Sequence, residues 1–275
     1  MSSRPSKSCH WNAAAYAANS VVQQSWAREL IARLQLRGDE QVLDIGCGDG
    51  KVTAEIARAV PQGQVVGADA SPEMIAFAQK TFPPAKHANL KFQVCDAREI
   101  GKLGGSFDVV FSNAALHWVD DHETILRGAA ALQQPGGRLV VSCGGKGNAH
   151  DVFLALRPEM RLKRWREFFR KMPAPYFFYS TGDYEKWLPK FGFKINTLKL
   201  APKDAPYPGA EGFATWLRTT WLPYVQRVPE NVREEFIAAV TRRFVAKHPP
   251  DAQGNVQVRM VRLEIDATKQ GAGKA

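Results

Sequence analysis

A chain of 275 residues with 45% hydrophobic and 23% charged residues can bury the core of one large α/β domain with an elaborated cap. No apolar run approaches the roughly 20 residues of a membrane-spanning helix, and the N-terminus lacks the apolar stretch of a secretion signal, so we expect a cytoplasmic protein without membrane association. The net charge of +10 fits an anionic small molecule, an acidic carrier protein or nucleic acid as partner, or a merely solvated surface.

The first half of the chain alternates predicted helices and strands. An amphipathic helix comes first, because Val22, Trp26, Leu30 and Leu34 recur every four residues. Short β-rich runs then alternate with helical stretches, which predicts βαβ units and a parallel sheet. The predicted strands are 41–45, 64–69, 90–95, 107–112 and 137–143, and the predicted helices are 51–60, 71–81 with Ser71 as N-cap, and 122–132.

After Cys143 the pattern becomes mainly helical and basic. Residues 151–275 hold 22 Lys and Arg against 13 Asp and Glu, whereas residues 1–150 hold 15 against 14. Helices are predicted at 151–172, 184–191, 213–225 and 231–248, and strands at 193–200 and 256–268. The sheet therefore resumes after a helical insertion.

The four cysteines are scattered and form no CxxC pair. This spacing argues against a zinc site and against a disulfide framework. We therefore expect no metal site and reduced thiols.

The stretch "VLDIGCGDGKV" places a glycine-rich turn directly after the first strand. Glycines let the backbone approach a ligand closely, but the order around Gly46, Gly48 and Gly50 is GxGxG rather than the GxGxxG of dinucleotide sites. Asp44 and Asp49 would each repel a pyrophosphate by on the order of 1 kcal/mol. The loop therefore predicts a ligand that carries positive charge.

Three further strand ends carry polar or aromatic groups, and strand carboxyl ends are where ligands bind in open α/β sheets. Asp69 can accept hydrogen bonds from both hydroxyls of a ribose, or it can simply stabilise the N-terminus of the following helix. Asp96 can accept an adenine amino group while the N–H of Ala97 donates to a ring nitrogen. His117 and Trp118 bring an imidazole and a broad aromatic face. Together the loops predict a pocket for adenosine joined to a cationic, amino-acid-like group.

At "VLDIGCGDGKVT", "GADASPEMI", "QVCDA" and "FSNAALHWVDD" the chain resembles the class I S-adenosylmethionine-dependent methyltransferases, motif for motif, over residues 40–145. Within them it is similar to the small-molecule carboxylate O-methyltransferases, of the trans-aconitate and juvenile hormone acid types; "WNAAAY", the HW(V/I)xD run and "MVRLEI" add support. The resemblance implies an α/β, Rossmann-like, mostly parallel seven-stranded sheet with helices on both faces and a helical cap insertion. The predicted parts are an N-terminal helical lid (1–40), an S-adenosylmethionine-binding core (41–145), a helical substrate cap interleaved with late sheet elements (146–250), a final strand (251–268) and a tail (269–275).

The resemblance also assigns site residues, with S-adenosyl-L-methionine as cofactor. Gly46 and Gly48 would contact its methionine part with Asp44 beneath the loop, and Asp69 would bind the ribose. The remaining cofactor residues would be Ala70 and Met74 at the adenine faces, Asp96 and Ala97 at the adenine edge, Asn113 at the amino group, and Tyr16. Gln23 and Trp118 would hold the substrate carboxylate, and His117 is the one candidate base.

The expected reaction is methyl transfer to a carboxylate oxygen of a small, anionic organic acid, with Arg157, Arg161, Arg164, Arg218 and Arg259 as candidate partners of that carboxylate. The alternative acceptors are a malonyl group on an acyl carrier protein, a quinone-type ring and an amine. A basic nucleic-acid-binding module is the non-enzymatic alternative, and it is less favoured because the sequence has no RNA-binding signature. A monomer is favoured.

Overall fold

The computed structural model describes residues 21–271, with side chains from Trp26 onward. Seven strands form one sheet in the order β3-β2-β1-β4-β5-β7-β6. Strands β1 to β5 are parallel, and β7 runs antiparallel to β5. The strands are β1 Gln41–Ile45, β2 Gln64–Asp69, β3 Leu90–Val94, β4 Val109–Asn113, β5 Arg138–Gly144, β6 Phe193–Pro208 and β7 Asn255–Lys269.

Nine α-helices and three 3₁₀ turns are found among residues 21–271. The helices are α1 Val21–Leu34, α2 Lys51–Ala59, α3 Pro72–Thr81, α4 His122–Ala131, α5 His150–Arg161, α6 Thr181–Lys190, α7 Gly209–Thr220, α8 Leu222–Val225 and α9 Glu230–Val245; the 3₁₀ turns are Ala97–Lys102, Leu116–Trp118 and Arg166–Phe169. The predicted cap of α3 is confirmed, because Ser71 Oγ accepts the N–H of Met74 at 3.2 Å.

Helices cover both faces of the sheet, because successive side chains of a buried strand point to opposite sides. On β1, Val42 belongs to a core cluster with α1, α2 and α3, whereas Leu43 and Ile45 belong to a cluster with α4 and α6. The predicted Rossmann-like, mostly parallel seven-stranded sheet is therefore confirmed.

The chain divides into two compact units. One holds most of the sheet and comprises the described residues up to Lys146, Tyr176–Ala201, and the residues from Val261. The other is mainly helical and comprises Gly147–Pro175 and Pro202–Met260. Its helices α7 and α9 pack through the stacked rings of Phe213 and Phe244, whose centroids are 4.3 Å apart.

The single helix predicted over 151–172 is wrong, because α5 ends at Arg161 and a short 3₁₀ turn follows. Leu162 takes an extended conformation with φ −63° and ψ 143°. The break turns Trp165 inward, where its ring packs edge-on against Phe236 with centroids 5.4 Å apart. Burial of this ring therefore outweighs continuation of the helix.

Strand β6 extends eight residues beyond the predicted end at Leu200. Its continuation contains Pro202, Pro206 and Pro208, which cannot donate to a neighbouring strand. Because β6 is an edge strand, the missing donors need no partner strand on that side.

Within residues 21–271, no helix is long and apolar enough to cross a bilayer. The same residues contain no group of three His, Cys, Asp or Glu side chains that could hold a metal ion.

A buried histidine ties the turn at Leu116–Trp118 to α6. His122 Nε2 lies 2.8 Å from the carbonyl oxygen of Leu116, and its Nδ1 lies 2.5 Å from the hydroxyl of Tyr184. Burial lowers the pKa of His122, so the ring is neutral at pH 7. A neutral ring with its proton on Nε2 donates to Leu116 and accepts from Tyr184, which satisfies both nitrogens.

Replacing Tyr184 by phenylalanine is expected to lower the free energy of unfolding by about 1–3 kcal/mol, because His122 Nδ1 loses its donor in a buried site. Urea unfolding followed by circular dichroism measures the change. Tyr179→Phe is the matched control. Its hydroxyl donates to the carbonyl of Asp120 at an exposed position, so we expect less than about 1 kcal/mol. Equal losses in the two variants would contradict the role given to His122.

Candidate active site

The glycine loop after β1 is fixed by backbone hydrogen bonds to the end of β2. The N–H groups of Gly46 and Cys47 both donate to the carbonyl of Ala68, at 2.7 and 3.1 Å. Gly46 and Gly48 have φ values of +75° and +54°, which favour glycine. A Cβ on Gly48 would meet no described atom within 4 Å, so one side of the loop is open to a ligand.

Asp44 is the penultimate residue of β1, directly before this loop. Its side chain is 2% exposed, and Oδ2 accepts a hydrogen bond from Thr53 Oγ1 at 2.7 Å. Burial raises the pKa of Asp44 to about 7, and the Thr53 hydroxyl opposes this while the charge of Asp69 adds to it. A cationic ligand nearby would favour the ionised carboxylate.

The charge of Asp49, in contrast, is offset locally. Its Oδ2 lies 3.4 Å from Lys51 Nζ, and its Oδ1 accepts the main-chain N–H of Lys51 at 3.2 Å. The acidic character of the loop therefore comes mainly from Asp44 and from Asp69 at the neighbouring strand end.

Asp69 connects the loop to the start of α3. Its Oδ2 accepts the N–H of Gly48 at 3.0 Å, and its Oδ1 accepts the N–H of Ser71 at 2.8 Å. Burial raises the pKa of Asp69, and these two hydrogen bonds oppose the shift. Each carboxylate oxygen has a second lone pair, so the group can accept two further donors. Ala70, the next residue, is exposed, and Met74 in the first turn of α3 is buried.

Asp96 has an ion-pair partner that the sequence analysis did not identify. Its Oδ1 accepts from the main-chain N–H and Nε of Arg98, at 2.9 and 3.0 Å, and Oδ2 accepts from Nη2 at 2.7 Å. The Arg98 side chain lowers the pKa of Asp96, despite the opposing effect of burial. Arg98 also reaches Asp120 at 3.2 Å. Ala97, the next residue, begins the 3₁₀ turn.

A second unpredicted residue, Arg262 of β7, contacts Asn113 at the end of β4. Arg262 Nη2 donates to Asn113 Oδ1 at 2.9 Å and to the carbonyl and hydroxyl oxygens of Ser142, both at 2.8 Å. Arg262 is 149 residues from Asn113 in the chain, so no local pattern could have paired them. The next residue after Asn113, Ala114, has φ +58° and turns the chain sharply toward His117 and Trp118.

His117 is held as a neutral ring. Its Nδ1 accepts the N–H of Gly144 at 3.3 Å, which places the ring proton on Nε2. Burial, with the charge of Arg262 as the second cause, lowers the pKa of His117 to about 3. Neither nitrogen is therefore suited to take a proton from a substrate at neutral pH.

The rings beside His117 form an aromatic wall that includes two residues from an extended segment. Trp118 packs against Tyr176 with centroids 4.7 Å apart, and Tyr176 stacks on Phe178 at 5.6 Å. The N–H of Phe177 donates to the carbonyl of His117 at 2.8 Å, which fixes this segment to the turn. Tyr176 and Phe178 belong to the sheet-containing unit.

Three of the five candidate arginines of the second half are ion-paired, which reduces their value as carboxylate partners. The pairs are Arg164 with Glu235, Arg218 with Glu234 and Glu211, and Arg259 with Asp204. Arg157 is exposed and lies over the ring of Phe153, and Arg161 is exposed. The predictions for Tyr16 and for the side chain of Gln23 lie outside the described residues.

Residues 42–137 match a family described as a methyltransferase domain. The chain is 31% identical over 247 residues to a trans-aconitate 2-methyltransferase of Deinococcus radiodurans, covering 87% of this chain and 92% of the relative. It is 28% identical over 269 residues to a trans-aconitate 2-methyltransferase of Variovorax paradoxus, covering 94% and 98%.

The fold matches solved methyltransferase structures. One is the magnesium protoporphyrin IX methyltransferase of Synechocystis PCC 6803 with bound S-adenosylhomocysteine, which has a TM-score of 0.55, 18% identity, and coverage of 92% of this chain and 86% of that one. The open side of Gly48 and the acidic groups at Asp44 and Asp69 fit the corresponding methyl donor, which carries an ammonium and a sulfonium. Because these relatives are methyltransferases, the alternative of a non-enzymatic nucleic-acid-binding module is not supported. The chain belongs to the class I S-adenosylmethionine-dependent methyltransferases, and S-adenosylmethionine is its cofactor.

Proposed function

We propose that this methyltransferase acts on a carboxylate oxygen of a small organic acid. The observation that carries the proposal is the state of His117, whose Nδ1 accepts from Gly144 and whose pKa is lowered to about 3. An amine or a phenol must lose a proton to become a nucleophile, so its enzyme benefits from a base. An ionised carboxylate needs none, and it therefore suits a site whose candidate base is neutral and hydrogen-bonded.

The relatives support the same class of acceptor. Two relatives that align along most of their length are named for methylation of trans-aconitate, which is a small polycarboxylate. Identities of 28% and 31% make an organic acid the reasonable class of acceptor for this chain without naming the acid.

We assign the cofactor contacts as follows. Gly46 and Gly48 would offer main-chain groups to the methionine part, with the Asp44 charge below them, and Asp69 would accept the ribose hydroxyls with the lone pairs that Gly48 and Ser71 leave available. Ala70 and Met74 would border the adenine.

Fewer acceptor atoms are available for the adenine edge and for the amino group of the methionine part. Asp96 Oδ1 already accepts twice from Arg98 and Oδ2 once, so Oδ2 is the oxygen that would accept the adenine amino group, beside the N–H of Ala97. Asn113 Oδ1 accepts from Arg262, so the ammonium would share that oxygen or bind the main-chain carbonyl of Asn113. Tyr16 stays a proposed cofactor contact.

When bound, S-adenosylmethionine supplies an electrophilic methyl group on a sulfonium. The residues of this chain orient the acceptor and remove water from its carboxylate, and orientation of this kind can supply up to roughly 7–11 kcal/mol of the barrier. We propose that Trp118 and Gln23 hold the acceptor carboxylate and that Tyr176 extends the wall formed by Trp118. His117 would support this wall rather than move a proton.

The test is a panel of free acids assayed with labelled cofactor, alongside an amine, a quinone and a malonyl acyl carrier protein. We expect label in a base-labile methyl ester of at least one acid. With saturating cofactor, kcat/KM should stay flat from about pH 6 to pH 9, because the acid is already ionised, His117 titrates far below this range, and the bound cationic cofactor should keep Asp44 ionised, although burial raises the pKa of Asp44 to about 7 without it.

The variant His117→Gln distinguishes a base from a supporting ring. We expect a loss of kcat below about tenfold and the same pH profile, whereas loss of a general base costs about 10²–10⁴-fold. A rate that rises with pH and falls at least a hundredfold in the variant would contradict carboxylate methylation. If label is found only in the amine, the quinone or the carrier-bound malonyl group, that compound and not an organic acid is the methyl acceptor.

A further inference from the structure

Arg262 is a buried cation at the carboxyl edge of the sheet. Its exposed fraction is 5%, and it pairs across β5 and β7 with Gly144, the last residue of β5. Besides the bonds from Nη2 described above, its Nε donates to Ser142 Oγ at 3.1 Å. Guanidinium groups do not lose their proton in proteins, so a full positive charge is held at a fixed position beside Asn113.

The charge acts on residues that neighbour the groups proposed to face the acceptor. The guanidinium carbon is 5.3 Å from the ring centroid of Trp26 on α1, three residues after Gln23 in the same helix. Burial raises the pKa of the Cys143 thiol to about 12 and lowers that of His117 to about 3, and in both cases the charge of Arg262 is the second cause and acts to lower the pKa. The positive charge of Arg262 therefore acts on both side chains. The ring of His117 in turn neighbours Trp118, with centroids 5.6 Å apart.

We propose that Arg262 is a specificity-determining residue, which selects the ionised form of the acid acceptor through a fixed positive potential at the carboxyl ends of β4 and β5. This proposal rests on the carboxylate methylation proposed above. Arg262 acts at a distance, since it is buried among Ser142, Asn113 and Trp26. Such a preorganised charge favours an anion without requiring reorganisation when the anion binds.

Coulomb's law gives the size of the effect for an assumed separation. For an acceptor carboxylate about 8 Å from the guanidinium, at an effective dielectric constant of about 20, the charge changes affinity by roughly 30-fold. A buried charge is also screened little by salt, so the preference should persist at about 0.5 M salt.

The experiment is calorimetric binding of trans-aconitate and of its neutral triamide to the full-length protein saturated with S-adenosylhomocysteine. We expect Arg262→Gln to weaken trans-aconitate binding by roughly 30-fold or more and to change triamide binding by less than about threefold. Arg262→Lys keeps the charge and should recover most of the acid affinity. Arg262→Met removes the charge without a buried polar group and is the second neutral variant in case the glutamine variant does not fold.

Two controls separate charge from structure. Arg58→Gln removes the same charge at an exposed position in the last turn of α2, toward the opposite edge of the sheet, and should leave both affinities unchanged. Ser142→Ala removes a neutral partner of Arg262 and should keep the ratio of acid to triamide affinity. Circular dichroism reports folding of each variant, and S-adenosylhomocysteine is kept saturating because Arg262 bonds to Asn113, a proposed cofactor contact.

The outcomes are distinct. Two results would overturn the proposal and leave carboxylate methylation intact. One is that Arg262→Gln weakens binding of the acid and of the triamide equally. The other is that Ser142→Ala loses the preference for the acid to the same extent as Arg262→Gln. A wild-type protein that neither binds trans-aconitate in preference to the triamide nor methylates any acid in the panel would overturn carboxylate methylation together with this proposal.

Discussion

Replacing Gly46 by alanine is expected to lower the free energy of unfolding by about 2–5 kcal/mol. Two costs add: about 1–2 kcal/mol for a side chain in the left-handed conformation at φ +75°, and about 1–3 kcal/mol for overpacking, since a Cβ on Gly46 would lie 2.1 Å from Ala115 Cβ. Urea unfolding measures the loss.

The double variant Gly46→Ala with Ala115→Gly separates the two costs. It removes the overlapping methyl group, so it should recover the overpacking cost, about 1–3 kcal/mol, and retain the conformational cost. A double variant that instead loses as much stability as the two single variants together would show that the two positions do not touch and would contradict the described packing.

Gly48→Ala is the matched variant in the same loop. Its φ of +54° predicts a similar conformational cost of about 1–2 kcal/mol, but no described atom lies within 4 Å of the new Cβ. Stability should therefore fall less than in Gly46→Ala, while S-adenosylhomocysteine affinity should fall at least about tenfold if the open side of the loop holds the cofactor. Unchanged affinity would place the cofactor elsewhere.

Asp69→Ala is expected to weaken S-adenosylmethionine binding by at least about 100-fold. Hydrogen bonds to a charged group contribute about 1.5–3 kcal/mol each, and the variant would lose both proposed ribose contacts. It would also leave the N–H groups of Gly48 and Ser71 without their acceptor, so we expect about 1–3 kcal/mol lower stability. Calorimetry with S-adenosylmethionine and S-adenosylhomocysteine measures the affinity.

Asp69→Asn and Glu99→Ala are the comparison variants. The asparagine keeps one oxygen for one backbone N–H, so its loss of stability should be smaller than that of the alanine variant. Glu99 is an exposed carboxylate paired with Lys102 on the adjacent 3₁₀ turn, and its removal should not change cofactor affinity. A folded Asp69→Ala protein with wild-type affinity would mean that Asp69 serves only the loop and the start of α3.

The sequence was sufficient for those parts of the fold that short-range patterns determine. Apolar runs of β-rich residues located β1 to β5, and Ser71 followed by proline located the start of α3. The carboxyl ends of neighbouring parallel strands meet at one edge, so the strand pattern alone places the glycine loop, Asp69 and Asp96 together.

Contacts between distant segments could not be predicted in this way. Arg262 resembles any other basic residue of the second half until β7 pairs with β5 and brings it to Asn113. Arg98, in contrast, had a local signal: it lies two residues after Asp96, at the start of a turn. The prolines after Leu200 argued against a longer strand, so the full length of β6 was not predicted. They are tolerated because the strand lies at an edge of the sheet.

The close approach of Gly46 and Ala115 also has a kinetic consequence. Ser112 Oγ, just before the Ala114 turn, donates to the carbonyl of Ile45 at 2.8 Å, so the loops after β1 and β4 are bonded as well as packed. Neither loop can shift without displacing the other. A methyl donor bound at the first loop would thus act directly on the second, so we expect the affinities for donor and acceptor to be coupled.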